Sequence, residues 1–210
     1  MRHLGVERVN ERVRRLTPAG GLGPITTLVD VRRRAYANLH PDASGLSGMD
    51  FIELRKRDGE EARLAWFLRR LGLSPPQLLA PSIDEAFQRY YATDLNSGRL
   101  DAYGDLLEAL ALGRALGPDA TAELLAVMSR TRSGDRRLKA GLGHDIRLAH
   151  KTGTQHRLAC DAGIATQGQG EEARRVVIVA CVRGELDLAR NEQMLAAVGR
   201  AVREAGAFEG

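Results

Sequence analysis

Between Ile146 and Val182 the hydrophobic pattern changes period, and this stretch constrains the fold more than any other. Ile146 and Leu148 alternate with polar neighbours and run into Lys151-Thr152-Gly153-Thr154. Leu158, Cys160, Ala162 and Ile164 alternate again, which is the period of a half-buried strand. Val176 to Val182 is continuously apolar, as for a strand covered on both faces. Gly168 and Gly170 mark the turn between the last two segments. The expectation is a three-strand antiparallel meander.

The flanking sequence is helical in texture. Val6, Val9, Val13 and Leu16 recur at helical spacing and stop before Pro18 and the glycines at 20, 21 and 23. Leu28 to Arg34 reads as a short strand or a loop edge, and Tyr36 to Gly48 as loop. Leu64, Phe67, Leu68 and Leu71 form a second stripe, broken by Ser74-Pro75-Pro76. Ser82 and Glu85 fit a capping box that opens a helix carrying Phe87, Tyr90 and Tyr91. Further helices are expected from Leu100 to Leu112, from Pro118 through Met128, and along Leu188, Asn191, Leu195, Val198 and Val202. Helices, then strands, then a helix imply an α/β fold in which an antiparallel sheet has helices packed on it.

At 210 residues the chain suits one domain, or one domain with an appendage. Only 4% of it is aromatic, so the core must come mainly from Ala, Leu and Val. The net charge of +4 arises from 31 basic residues interleaved with 27 acidic ones. So small and mixed an excess argues against a nucleic-acid partner, and no binding motif accompanies Arg32-Arg33-Arg34. No apolar run approaches the about 18 residues of a membrane span. Met1-Arg2-His3-Leu4-Gly5 carries no apolar signal region, which read literally places the chain in the cytoplasm. If the chain begins inside a longer protein, export is expected instead. Cys160 and Cys181 sit in neighbouring expected strands. A disulfide is conceivable there, with two small buried thiols the favoured reading. The histidines at 3, 40, 144, 150 and 156 show no metal spacing, and no cofactor is expected.

The chemistry is concentrated in Gly134-Asp135-Arg136-Arg137-Leu138-Lys139-Ala140-Gly141-Leu142 and His150-Lys151-Thr152-Gly153-Thr154. Lys151 offers a cation to a carboxylate. Strand alternation puts Thr152 and Thr154 on one face, where two hydroxyls could bind the same carboxylate. Gly153 lets a substrate backbone lie close against the strand. Arg157 could join Lys151 on an anion, and His150 and His156 flank the motif as solvated strand-end residues or as cleft lining.

With a helix before the Gly-Asp-Arg loop, and two strands and a helix after the motif, this region resembles the Lys-Thr-Gly region of class A β-lactamases and related penicillin-binding serine hydrolases. The resemblance is good from about Asp101 to Ala205 and looser over the first 40 residues, with an apparent helical insertion at about 42–91. It implies a β-lactamase/transpeptidase-like fold and a β-lactam or peptide substrate. It implies that Lys151, Thr152, Gly153 and Thr154 bind that substrate, with the Thr154 amide as half of the oxyanion hole.

The family also needs Ser-x-x-Lys for nucleophile and activating base. None of the serines at 44, 47, 74, 82, 97, 129 and 133 has Lys three positions on, and none begins Ser-x-Asn. The expectation is that residues 1–210 are a partial domain, incomplete at the N-terminus and inactive as it stands. Tyr36-Ala37-Asn38 matches the Tyr-x-Asn that class C enzymes use as second motif, against a surface tyrosine in an Arg-rich turn. The loop that should bear the class A deacylating glutamate has none, leaving Asp30 as a shorter substitute. Two readings follow: a β-lactamase or penicillin-binding type hydrolase, or a non-catalytic module (or remnant) that binds a carboxylate or a cell-wall peptide. The apolar edge at Val176 to Val182 would open the chain to self-association.

Overall fold

The computed structural model of the chain describes residues 4–209, so Met1 to His3 of the leader reading lie outside them. The chain divides into two compact units, one built from residues up to Arg14 and Leu22–Gly98, the other from Arg15–Gly21 and Arg99 onward.

The first unit is helical. It contains α1 (Val6–Leu16) as far as Arg14, α2 (Leu28–Ala37), α3 (Gly48–Arg55), α4 (Gly59–Leu71) and α5 (Ile83–Tyr91), with 3₁₀ turns at Pro41–Gly45 and Pro75–Gln77. The strand-or-loop expectation for Leu28 to Arg34 is overturned, since this segment is the body of α2. Thr27 caps that helix, accepting from the Asp30 amide, and Val31, Ala35 and Tyr36 form its buried side. Tyr36 is therefore not a surface residue. Its ring centroid lies 5.7 Å from Phe51, 5.8 Å from Phe67 and 5.7 Å from Phe87. This aromatic cluster sits in a core otherwise built from aliphatic residues such as Val31, Ala35, Leu39, Leu46 and Leu54. Ser82 caps α5 through the Glu85 amide.

The second unit follows the expected order: α6 (Leu100–Ala111), α7 (Pro118–Ser129), α8 (Leu138–Leu142), β1 (Ile146–Gln155), β2 (Leu158–Gln167), β3 (Arg174–Arg183) and α9 (Leu188–Glu204). The strands form an antiparallel sheet in the order β1-β2-β3. One face packs Leu148 and Ile178 against Leu138 and Leu142 of α8 and Leu195 of α9. The other packs Ala162 and Ile164 with Leu107 and Leu110 of α6 and Met128 of α7. α8 and α9 touch backbone to backbone. A Cβ on Gly141 would lie 1.9 Å from the Ala196 carbonyl oxygen, so only glycine permits this approach.

Cys160 and Cys181 are joined in a disulfide, which corrects the expectation of free thiols. The reason is register. The two residues are direct partners across β2 and β3, with Cα atoms 4.1 Å apart and side chains on one face.

Candidate active-site wall

The Lys151-Thr152-Gly153-Thr154 motif occupies the last turnward part of β1, the strand at one edge of the sheet among the described residues. The direction of its backbone follows from the pairing. Cys160 and Cys181 approach at the short Cα distance of a non-hydrogen-bonded antiparallel pair. The Cys160 peptide groups therefore turn toward its other partner, Gly153, making 153/160 the hydrogen-bonded pair. Its neighbour Thr154, opposite Ala159, is then non-hydrogen-bonded, and its N–H points outward from the sheet. By the same alternation the His150 and Thr152 carbonyls face outward. The first accepts from Thr131 Oγ1 at 3.0 Å and the second from Lys151 Nζ at 2.6 Å.

Thr152 and Thr154 share a face, and each hydroxyl has a partner. Thr152 Oγ1 lies 2.8 Å from Ser133 Oγ, and Thr154 Oγ1 accepts from Arg137 Nη2 at 2.7 Å. Gly134 permits the loop to approach, because it has φ +81° and a Cβ there would lie 2.5 Å from Thr152 Cγ2. Arg137 is buried, and its Nη1 also donates to the carbonyls of Gly153 at 3.1 Å and Cys160 at 2.8 Å. Glu192 on α9 compensates its charge, 3.5 Å from Nε.

Lys151 does not join the two hydroxyls. Strand alternation sends its side chain to the opposite face, where it is exposed. The cation that the structure sets beside a motif hydroxyl is Arg137. Sequence reasoning quoted this residue within the loop but gave it no role, and two adjacent arginines carry no signal of which one turns inward.

Beneath the motif His150 and Asp161 are both fully buried, with Nδ1 and Oδ1 2.7 Å apart. His150 is thus neither a solvated strand-end histidine nor cleft lining. Its register partner Gly163 makes the space, since a Cβ there would lie 2.6 Å from the histidine Cβ. The other two polar atoms of the pair, His150 Nε2 and Asp161 Oδ2, have no partner among the described residues.

The remaining candidates lie elsewhere. Arg157 sits in the two-residue β1–β2 turn with φ +50° and donates to the Gly184 carbonyl at 3.0 Å. In the first unit, Asp30 Oδ2 accepts from Thr27 Oγ1 at 2.5 Å in the opening turn of α2. Burial pushes the Tyr36 phenol up to about 12, and a core tyrosine of this kind is not a second motif beside a nucleophile. Asn38 caps the end of α2, donating to the carbonyl of Arg34. Among the described residues no group of His, Cys, Asp or Glu could hold a metal ion, and no helix is long and apolar enough to cross a membrane.

The antiparallel sheet with helices packed on it is the arrangement of the β-lactamase fold. The sequence model of the β-lactamase enzyme family matches residues 54–205, and the chain belongs to that family. It is similar to the W229D mutant of the class A β-lactamase of the last common ancestor of Gram-negative bacteria, at 28% identity and a TM-score of 0.50, over 75% of this chain and 58% of that one. The ancestral class A enzyme itself gives 25% identity and a TM-score of 0.50, over 86% and 66%. A β-lactamase from Xanthomonas campestris pv. campestris gives 26% and 0.50, over 81% and 61%. The chain therefore spans between 58% and 66% of the length of these structures. No curated protein matches.

Proposed function

We propose that this chain forms the substrate-binding wall of a serine hydrolase that opens amide or β-lactam bonds through an acyl-enzyme, with Lys151, Thr152, Gly153 and Thr154 as that wall. The observation that carries this reading is the outward-facing Thr154 amide on an open strand edge. An acyl-transfer transition state develops charge on the carbonyl oxygen, and a fixed backbone N–H is the donor that stabilises it without reorganising. Lys151 supplies a cation along the same edge, and the buried Arg137 fixes the Thr154 hydroxyl in place beside it.

None of the seven serines has the Ser-x-x-Lys spacing, so the proposed contribution of these 210 residues to turnover is binding and oxyanion stabilisation. The same feature supports a second reading, a module that holds a carboxylate-bearing ligand or cell-wall peptide without turning it over. The disulfide favours an oxidising compartment and hence an exported protein. The outer edge of β3, unpaired among the described residues, supports self-association by strand pairing.

The test is acylation by a fluorescent penicillin, read by intact mass. The 210-residue chain is expected to form no covalent adduct. Joined to a Ser-x-x-Lys-bearing segment from a family member, it is expected to be acylated. A charge-assisted hydrogen bond is worth about 1.5–3 kcal/mol, so Lys151→Ala should slow acylation by roughly 10- to 150-fold. Lys139→Ala serves as the control. Equal rates for Lys151→Ala and its parent would reduce the motif to a strand end.

A further inference from the structure

A second feature of the same unit lies away from the motif. Only Met128 of α7 is buried. The helix turns Pro118, Thr121, Ala122, Leu125, Ala126 and Ser129 toward the sheet, at the spacing of one helical face. These short side chains leave a groove of about 630 Å³, within the range of about 300–1,000 Å³ typical of small-molecule sites. Its floor is Ala149 of β1 and Ile164 of β2.

One end of the groove is built differently. Arg147 on β1 pairs with Thr166 on β2, which pairs with Arg175 on β3. Register partners share a face, so the three side chains stand in one row across the whole sheet, and all three line the groove. With strands about 4.8 Å apart, the backbones of the two arginines are about 10 Å apart, with a hydroxyl between them. Arg147 donates to the Gly168 carbonyl at 3.0 Å, and among the described residues neither arginine is ion-paired. Two exposed guanidinium groups thus face the same apolar groove, with no ion pair to either among the described residues.

We infer that this groove is a binding site for a small amphipathic carboxylate. The anion is held between Arg147 and Arg175 with Thr166 donating to it, and the apolar tail lies along α7 over Ala149 and Ile164. An inorganic anion would satisfy the arginines and leave the groove empty. An apolar ligand would fill the groove and leave the charges unmatched. Guanidinium groups suit a carboxylate because their paired N–H donors match its two oxygens. The site is distinct from the Lys151–Thr154 wall. Its anion end is set by Arg147, about 13 Å from Lys151 at strand rise, while Ala149 of the floor lies about 7 Å from Lys151 on the same face.

The experiment is calorimetric titration of the 210-residue chain with decanoate below its micellar concentration. Saturable one-to-one binding is expected, with decyltrimethylammonium and acetate at least about 10-fold weaker. Arg147→Gln and Arg175→Gln should each weaken decanoate by roughly 10-fold or more, the lower end of a charge-assisted hydrogen bond. Ala126→Phe, which fills the groove without touching the arginines, should abolish binding. Circular dichroism checks that each variant is folded. Several outcomes would overturn the site: no saturable binding, equal binding of the cationic amphiphile, unchanged affinity in both arginine variants, or binding to anionic vesicles but not to dissolved decanoate.

Discussion

The His150 imidazole and the Asp161 carboxylate meet 2.7 Å apart with no exposure of either side chain. They stand on adjacent strands directly behind the Lys151 motif, on the face packed by α8 and α9. Each supplies the one partner that the structure shows for the other's buried polar atoms, Nδ1 to Oδ1, and leaving a buried polar group without its partner costs about 1–3 kcal/mol. Asp161→Ala and His150→Ala are each expected to destabilise the protein by at least that amount in urea unfolding. The double variant should cost less than the sum of the two, because the second removal strands nothing further. Additive losses would mean the pair is not a unit.

Reduction of the Cys160–Cys181 disulfide tests the other side of the same strand. The bond closes a segment with a sequence separation of 21, for which loop-closure entropy gives about 3 kcal/mol. Urea unfolding with and without a reductant, and of the Cys160→Ala/Cys181→Ala variant, should show a loss of that order. Because the Cys160 carbonyl accepts from Arg137, amide exchange at Gly153 and Thr154 is also expected to quicken on reduction.

The meander was legible because Leu158, Cys160, Ala162 and Ile164 alternate cleanly and glycines end the segments. The helix at Leu28–Ala37 was not, because three consecutive arginines hide a buried side that consists only of Val31, Ala35 and Tyr36. Proline, serine and glycine around α3 likewise concealed a helix whose hydrophobic residues do not concentrate on one face. At the site, Lys-Thr-Gly-Thr is visible as a string of residue types. Its partners are not, since Arg137 and Asp161 reach it through a loop and a register that only the folded chain sets. The disulfide was missed for the same reason: alternation shows that Cys160 and Cys181 lie in strands, but not that they face each other.

Asp50 gives the first unit an acid limit. Its carboxylate accepts from Arg70 Nε at 2.7 Å and from the Ser47 hydroxyl and amide, closing the capping box of α3. The hydrogen bond from Arg70, then those from Ser47, hold its pKa down to about 2. A folded pKa below the unfolded value of about 3.9 means stability that is complete above that value. It is lost as pH falls toward 2. Asp50→Asn should flatten the stability profile between about pH 4 and 2 and leave it little changed in shape above pH 5. A parallel profile in the variant would show that Asp50 is not linked to folding. Ser47→Ala, which removes the cap itself, should cost about 1 kcal/mol at neutral pH.

Arg137 carries the most consequential prediction. Its guanidinium ties the motif strand to the body of the unit through the Gly153 and Cys160 carbonyls and the Thr154 hydroxyl, and Glu192 compensates the charge. Lysine cannot reproduce this, because an ammonium is a point donor without the planar fork that spans three acceptors. Arg137→Lys is therefore expected to keep the charge balance yet lose much of the geometry, and Arg137→Ala to lose both and leave Glu192 unpaired. Hydrogen bonds to charged groups contribute about 1.5–3 kcal/mol each and are not additive here. Arg137→Ala should thus cost at least about 2 kcal/mol in thermal or urea unfolding, and Arg137→Lys less. The decisive readout is local. Hydrogen exchange at the amides of Gly153 and Thr154 should quicken more than exchange in α5 of the first unit, because the lost hydrogen bonds all lie at the paired ends of β1 and β2 around Gly153, Thr154 and Cys160. If Arg137→Ala lowers global stability and exchange at the motif does not quicken beyond that loss, Arg137 is a packing residue and the rigidity of the Thr154 edge has another source.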